Sequence, residues 1–565
     1  MPQGPVAARL IRLYTRLAVF LSIFSLTCWM DPVTAVAGAA TARAVQEILG
    51  ESAEPGPLYI ACQKIHVGED LIRFYADRNF APAWTDANGL NDLGGDLPVH
   101  LAAARDHGLD PEDYHLGCIE ALADDIRRRS RKGEEQDAVR LASIDILMSD
   151  AFLIFASHLA CGKVDPEKFH PRWLSPKHKT DILAELKGLL EHRDLRGALG
   201  RFAPPHPEYR RLVQAGRELR AVAAGSSWPQ VPPGPTLHPG DTSRRVVVLR
   251  ERLARSGDLP AGEAPVAAAE FFDPLLEEAV RRFQKRHGLT VDGVVGRRTL
   301  ASLNVPPETR LRQILVNLER WRWLPLHWGD RYILVNVAGF SLEAYRSGEK
   351  VLTMRVIVGK SYQRTPVFSE KMRYIEVNPY WNVPSSIAVK EYLPKIRKDP
   401  GFLEANHMEL LSGWGPSSRV LDPRAIDWSR VTQDNFPGRI RQLPGPWNAL
   451  GRIKFMFPNA FNVYLHDTPE RHLFVRPRRA LSHGCIRIEN PVDLALFVLQ
   501  NDTSWTREQV KSLIDSGERH VIPLPHPVMV HLLYWTAWVD EAGVIHFRED
   551  IYGRDDILSD ALGLS

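Results

Sequence analysis

No helix can run through the stretch from Gly225 to Gly240, GSSWPQVPPGPTLHPG, so it divides this 565-residue chain into regions that must fold separately. Proline fixes φ and has no backbone N–H, so a linker this rich in proline stays extended and semi-rigid. Before it, from about Ala39 to Ala224, apolar residues recur every three or four positions over Ala121–Arg129, Ala138–Leu159 and Ile182–Leu199, which predicts helices. Breaks fall at His107-Gly108-Leu109-Asp110-Pro111 and at Cys161 to Pro166, with Gly near the helix ends and Pro beyond. Residues 38–224 therefore read as a helical domain, with the scattered His115, His158 and His170 as structural side chains.

After the linker, residues 241–305 read as three helices. Val246, Leu249 and Leu253 mark the first, and Leu275, Ala279, Val280 and Phe283 the second, with Asp273 as cap and Pro274 at its first position. A further helix over Arg310–Trp323 follows, and then the period changes to two. Tyr332–Val337, Leu342–Tyr345, Val351–Val358 and Arg373–Asn378 alternate as strands do, and Ser347-Gly348-Glu349 supplies a turn. Residues 306–540 are expected to form a mostly-β domain, and 541–565 a C-terminal segment contributing closing strands around HFREDIYG. Within the β domain, residues 385–444 break the strand pattern, with a helix over Ile387–Ile396 and a loop-like Met408–Asn435. An insertion this long inside a β domain reads as a flap over a site, with a solvated decoration as the alternative. Trp381, in the bent NPYWNVP run before it, is either core packing or the wall of a groove.

The N-terminus carries Arg9, Arg12 and Arg16, then the apolar run Leu17–Leu26, then an A-x-A site at Ala35-Val36-Ala37. That order is a secretory signal peptide over residues 1–37, and the run falls short of the roughly 20 apolar residues a membrane span needs. Thr27 disfavours lipidation at Cys28. The net charge of +3 gives no basic stripe, which excludes nucleic acid as the expected partner. Five cysteines are present. With Cys28 removed and Cys485 kept as a thiol, Cys62, Cys118 and Cys161 allow at most one disulfide. Keeping an unpaired cysteine in an oxidising compartment suggests that it does chemistry.

That cysteine lies in Tyr464–Asn490, YLHDTPERHLFVRPRRALSHGCIRIEN. Alternation over Asn462–His466 turns Val463 and Leu465 to a core and Asn462, Tyr464 and His466 to the other side. Gly484 permits tight backbone geometry before Cys485, and Arg487 shares the side of Cys485 while Ile486 and Ile488 are buried. A neighbouring imidazole lowers a thiol pKa from about 8.5 to about 3.5–7.5, so Cys485 is expected to be an ionised nucleophile. His466 is the expected base, and His483 an orienting or charge-tuning group. The N–H groups of Gly484 and Cys485 are placed to bind an oxyanion. Zinc would need a fourth ligand beyond His466, His483 and Cys485, and none is evident. His531 and His546 read as structural.

Two resemblances follow from these residues. Phe272–Val305, with Phe283-Gln284, Gly288-Leu289 and Asp292-Gly293, resembles the small three-helix peptidoglycan-binding domain. His466, a fifteen-residue gap and Ser482-His483-Gly484-Cys485-Ile486-Arg487 resemble the L,D-transpeptidase family with its YkuD-type catalytic domain. The layout is similar to the large Gram-negative members. It implies a multidomain α+β protein with a helical scaffold domain, a peptidoglycan-binding domain and a mostly-β catalytic domain with a capping insertion. The resemblance implies that Cys485 attacks the bond between the diamino acid and D-Ala of a tetrapeptide stem. A thioester forms, and a second stem's amine resolves it into a 3→3 cross-link. It also implies a backbone carbonyl at Asp467 as the partner of His466, and Tyr464, Trp381, Ser482 and Arg487 as pocket lining. No metal or cofactor is implied. The implied setting is the periplasm, with peptidoglycan stems and other cell-wall enzymes as partners and carbapenems as covalent inhibitors. Two alternatives remain open: an L,D-carboxypeptidase, in which water resolves the thioester, and a non-catalytic wall-binding protein.

Overall fold

The computed structural model describes the chain except residues 1–31, 51–57, 62, 67, 169–180, 226–227, 261–268, 416, 500–504 and 565. The apolar run of the expected signal peptide, Cys28, Cys62 and His170 lie outside the described residues, and a helix Pro32–Gly50 runs through the Ala35-Val36-Ala37 stretch. No helix among the described residues is long and apolar enough to cross a membrane.

The chain divides into two units. The first, drawn from residues up to 105, 109–158 and 180–202, is helical. Its helices include Gly68–Ala76, Asp92–Ala102, Leu116–Arg131 and most of Ala138–Cys161. Buried Asp145 accepts the N–H groups of Ala83, Trp84 and Thr85 and the phenol of Tyr75, so one carboxylate fixes a loop to the long helix. The helix expected over Ile182–Leu199 is instead two, Ile182–His192 and Leu195–Phe202. Arg193 is left-handed at φ +55°, which ends the first, and the Asp194 carboxylate accepts the Gly197 N–H in the second. His115 is buried with Nε2 2.8 Å from Asp150 Oδ2, and His158 bonds the Tyr114 phenol.

The second unit holds residues 203–565 together with 106–108 and 159–179. The helix Pro207–Gly225 carries buried Tyr209, Leu212 and Val213 into the same core as Ile314 and Trp321. Nor is the proline-rich stretch a free spacer. Val231 and Leu237 are buried in the core of the small helical unit, and the Val231 N–H donates to Asn304 Oδ1. Proline kept the segment extended, and its apolar residues docked it. That unit contains α1 (Arg244–Arg255), α2 (Pro274–Arg286) and α3 (Arg297–Leu303), with Asp273 capping α2 by accepting the Leu276 N–H at 2.8 Å.

Helix α4 (Pro307–Arg322) leads into the β domain. The nine strands of its main sheet, among the described residues, are β1 (Arg331–Asn336), β2 (Ser341–Arg346), β3 (Glu349–Gly359), β4 (Phe368–Val377), β5 (Ile453–Met456), β6 (Leu465–His466), β7 (Ala480–Ser482), β8 (Ile486–Ile488) and β9 (His520–Leu533). The sheet order is β7-β3-β8-β6-β5-β4-β9-β1-β2, and β2 also pairs with β3, so the sheet curls back on itself. The consecutive residues Tyr332, Ile333, Leu334 and Val335 of β1, with Phe368, Met372 and Ile375 of β4 and Ile453 and Phe455 of β5, fill one core with α4 and Pro207–Gly225.

Residues 385–398 are helical, in line with the helix expected over Ile387–Ile396, but Met408–Asn435 is not loop throughout. Met408–Leu411, Val420–Leu421, Arg439–Gln442 and Trp381–Asn382 form a second, four-stranded sheet. It has its own core around Leu393, Ile396, Leu403, Leu410 and Ile440. The boundary expected at 540 also falls inside a hairpin, Ala537–Val539 with Ile545–Phe547. The rest of HFREDIYG is turn, and the helix Arg554–Leu562 buries Leu558 and Leu562 in the main core.

Candidate active site

Three neighbouring strands set the site. Lys454 on β5 faces His466 on β6, and His466 faces Arg487 on β8. Directly paired residues share a face, so a lysine, an imidazole and a guanidinium stand side by side. All three line a cavity of about 770 Å³ with Tyr464 and Cys485. Val463 and Leu465 point the other way into the core, which forces Tyr464 and His466 toward the cavity even though β6 is only two residues long.

His466 is 5% exposed, and its Nδ1 lies 2.5 Å from the Asp467 carbonyl oxygen. A carbonyl can only accept, so the proton is fixed on Nδ1 and Nε2 is the basic nitrogen. Burial, then Arg487 and Lys454, pull this imidazole down to about 3. The Asp467 side chain faces elsewhere: Oδ2 accepts the Arg452 N–H, and Oδ1 pairs with Arg471.

Cys485 directly precedes β8, and the Ile486 N–H donates to the Tyr464 carbonyl at 3.1 Å. Burial pushes the thiol up from its ordinary value, against a hydrogen bond from the Tyr464 side chain and the charges of Lys454 and Arg487. This overturns the expectation of an ionised sulfur. Desolvation outweighs the groups that favour the anion, and the neighbouring imidazole is itself neutral. Thiol and imidazole therefore both rest neutral, and the thiol donates to the Asn462 carbonyl at 3.9 Å.

Two other expectations are corrected. The Gly484 N–H donates to Ser482 Oγ at 3.2 Å, and Ser482 Oγ donates to the Cys485 carbonyl, so buried Ser482 clips the loop and engages one of the two N–H groups expected to bind an oxyanion. The exposed His483 does not tune the thiol; its Nε2 lies 2.5 Å from Glu391 Oε1 of the insertion. Gly484 does adopt a glycine-favouring φ of +118°. Trp381 does both things weighed for it, packing edge-on to Tyr392 in the insertion's core and lining the cavity. Arg487 also lines it, paired with Glu470.

The sequence reading passed over Lys454 and Thr365. Lys454 Nζ sits 4.2 Å from the Tyr464 ring centre, and burial lowers its pKa. Its position between buried Ile453 and Phe455 is the signal that could have placed it on the cavity face. Thr365 Oγ1 donates to the Gly484 carbonyl at 2.8 Å and accepts the Gly359 N–H at 2.9 Å. Nothing local in sequence marks it. Outside the site, among the described residues, one group of three side chains could hold a metal ion: His66, His115 and Asp150.

Comparison with known proteins places three families on the chain. The L,D-transpeptidase catalytic domain family (YkuD) matches residues 330–511, a scaffold domain matches 69–215, and a "Putative peptidoglycan binding domain" matches 242–303. A "Putative L,D-transpeptidase" of Haemophilus influenzae is 37% identical over 245 residues, 43% of this chain and 48% of that protein. The chain thus spans about half the length of that curated relative. The N-acetylmuramoyl-L-alanine amidase CwlM of Mycobacterium tuberculosis is 40% identical over 75 residues, 12% of this chain and 18% of that one. Among solved structures, an L,D-transpeptidase from Stackebrandtia nassauensis is 13% identical, with a TM-score of 0.21, over 54% of this chain and 96% of its own. One from Mycobacterium smegmatis is 12% identical, with a TM-score of 0.18, over 36% and 58%. Superpositions this loose carry no argument.

Proposed function

Since residues 330–511 belong to the L,D-transpeptidase catalytic-domain family, we propose that this protein is a cysteine-dependent L,D-transpeptidase acting on peptidoglycan after export to the periplasm. His466 Nε2 takes the proton of the neutral Cys485 thiol as sulfur attacks the carbonyl of the diamino acid. D-Ala leaves with that proton and a thioester remains. The side-chain amine of a second stem attacks the thioester, its proton passes to Nε2 and back to sulfur, and a 3→3 cross-link results.

The observation that carries this reading is the Nδ1 contact to the Asp467 carbonyl, which makes Nε2 the basic nitrogen of a ring that lines the same cavity as Cys485. Lys454 and Arg487 supply positive charge where sulfur becomes anionic. Export is supported by the Arg-then-apolar N-terminus with its A-x-A site. Carbapenems, as acyl donors, are expected to acylate Cys485.

The test incubates purified protein with disaccharide-tetrapeptides and follows the products by mass spectrometry. Cross-linked dimers that vanish in Cys485→Ala are expected. Tripeptide monomers alone would replace transfer by hydrolysis, and dimers surviving Cys485→Ala would overturn the thiol mechanism.

A further inference from the structure

A second cavity, of about 590 Å³, lies between the small helical unit and the catalytic domain, both within the second unit of the chain. Its charged lining is Arg298 from α3, Arg310 from α4, and Arg478, Arg548 and Glu549 from the catalytic side. Four guanidiniums thus face a single carboxylate. Arg298 Nη2 and Arg478 Nη2 share that carboxylate, at 3.3 Å and 3.5 Å from the two oxygens of Glu549. Both pairs are half-exposed, so each is worth little and exchanges readily for a ligand.

The other two cations have no carboxylate within ion-pair distance among the described residues. Arg310, 8% exposed, lies over the Phe547 ring, and its Nε has no partner. Its remaining nitrogens donate to Gln313 and Ser302. Arg548 donates from Nη1 to the carbonyls of Arg286 and Phe547. It lies where a Cβ on Gly288 would stand, its Cδ 2.6 Å away, so the glycine admits it. Burial, then Arg286 and Arg252 behind the cavity wall, pull Arg310 down to about 9.

We propose that this cavity binds a free carboxylate of a peptidoglycan stem, holding a wall strand to the catalytic domain at a point separate from Cys485. A carboxylate fits better than a phosphate on two grounds. The group already bridging Arg298 and Arg478 is a carboxylate, and Phe340, Phe547, Leu289 and Val305 give the cavity an apolar wall suited to an aliphatic peptide. The identity of the ligand rests on the function proposed above; the surplus of positive charge does not.

The test measures co-sedimentation of full-length Cys485→Ala protein with purified sacculi. Adding Arg298→Ala and Arg478→Ala is expected to weaken retention by about tenfold or more. Glu549→Gln, which frees both guanidiniums, is expected to strengthen it. Free tetrapeptide should displace the protein, whereas inorganic phosphate and phosphatidylglycerol vesicles at equal concentration should not. Unchanged retention in the double-arginine variant, or displacement by phosphate or vesicles as effective as by tetrapeptide, overturns the proposal. Turnover of soluble tetrapeptide is measured separately, with both arginines native, in the Cys485 protein and in Cys485→Ala. Failure of turnover in both forms counts against the catalytic reading and leaves the binding result standing.

Discussion

Thr365→Val tests whether the nucleophile loop is held from behind. Thr365 is fully buried, at 0% exposed, and its hydroxyl joins the Gly359 N–H to the Gly484 carbonyl. Valine has the same shape, so the change removes two hydrogen bonds and opens no cavity. Leaving a buried polar group without a partner costs about 1–3 kcal/mol, so losing both amounts to about 2–6 kcal/mol of stability. Part of the change falls on Gly484, whose φ of +118° is maintained by such contacts, so Cys485 should lose its fixed position. Denaturant unfolding would measure the first effect, and the rate of Cys485 alkylation or acylation by mass spectrometry the second, with a fall of about ten- to a hundredfold in acylation. Thr365→Ser keeps both bonds and should recover most of the rate. If Thr365→Val matches the native protein in both stability and rate, the buttress argument is wrong.

Gly451 has φ +62°, and a Cβ there would meet Asp467 Cγ and Oδ2 at 2.4 Å; Gly451→Ala should displace the residue whose carbonyl holds His466 Nδ1 and lower acylation at least tenfold while Cys485 is still alkylated. Because His466 is pulled down to about 3, the acylation rate should show no limb near pH 6.5, and a limb there in a pH profile would refute the neutral-pair reading. His531, 1% exposed and depressed to about 4 by burial, refuses a proton that the unfolded chain accepts below about 6.5. Its stabilising contribution is therefore complete above that pH and lost as pH falls toward 4, by roughly 3 kcal/mol. His531→Gln should flatten the decline in unfolding midpoint over that window.

The cavity-facing side chains of the central stretch were legible because burial imposes a parity that a strand cannot escape. With Val463 and Leu465 at 7% and 0% exposed, Tyr464 and His466 have only the opposite face. The second sheet was not legible, because Val420–Leu421 and Trp381–Asn382 are two residues long and too short to display a period. Lys454 was missed because a lysine between apolar residues reads as a solvated strand face, and the cavity over it is built by the insertion from elsewhere in the chain. The proline-rich segment showed its extended form, whereas its docking depended on partners such as Asn304 some seventy residues away.

The charge state of the thiol shows most clearly where local sequence stops being informative. Adjacency of His483 and Cys485 suggests an ion pair, but adjacency does not report solvent. His483 turns outward to Glu391, and the groups that act on sulfur, Tyr464, Lys454 and Arg487, arrive from three segments. Their combined pull is opposed by burial, which acts on His466 in the same direction, toward neutrality. A neutral thiol in a partly accessible cavity is protected from adventitious oxidation, since the thiolate is the reactive form. That protection would suit an unpaired cysteine exported to the periplasm as proposed above. The same burial strengthens the attraction of Lys454 and Arg487 for sulfur once a substrate carbonyl is in place and the proton moves to Nε2. In the mechanism proposed above, the site holds its nucleophile in reserve by desolvation and releases it by proton transfer, a division of labour that needs the fixed Nδ1–carbonyl bond more than it needs a second histidine.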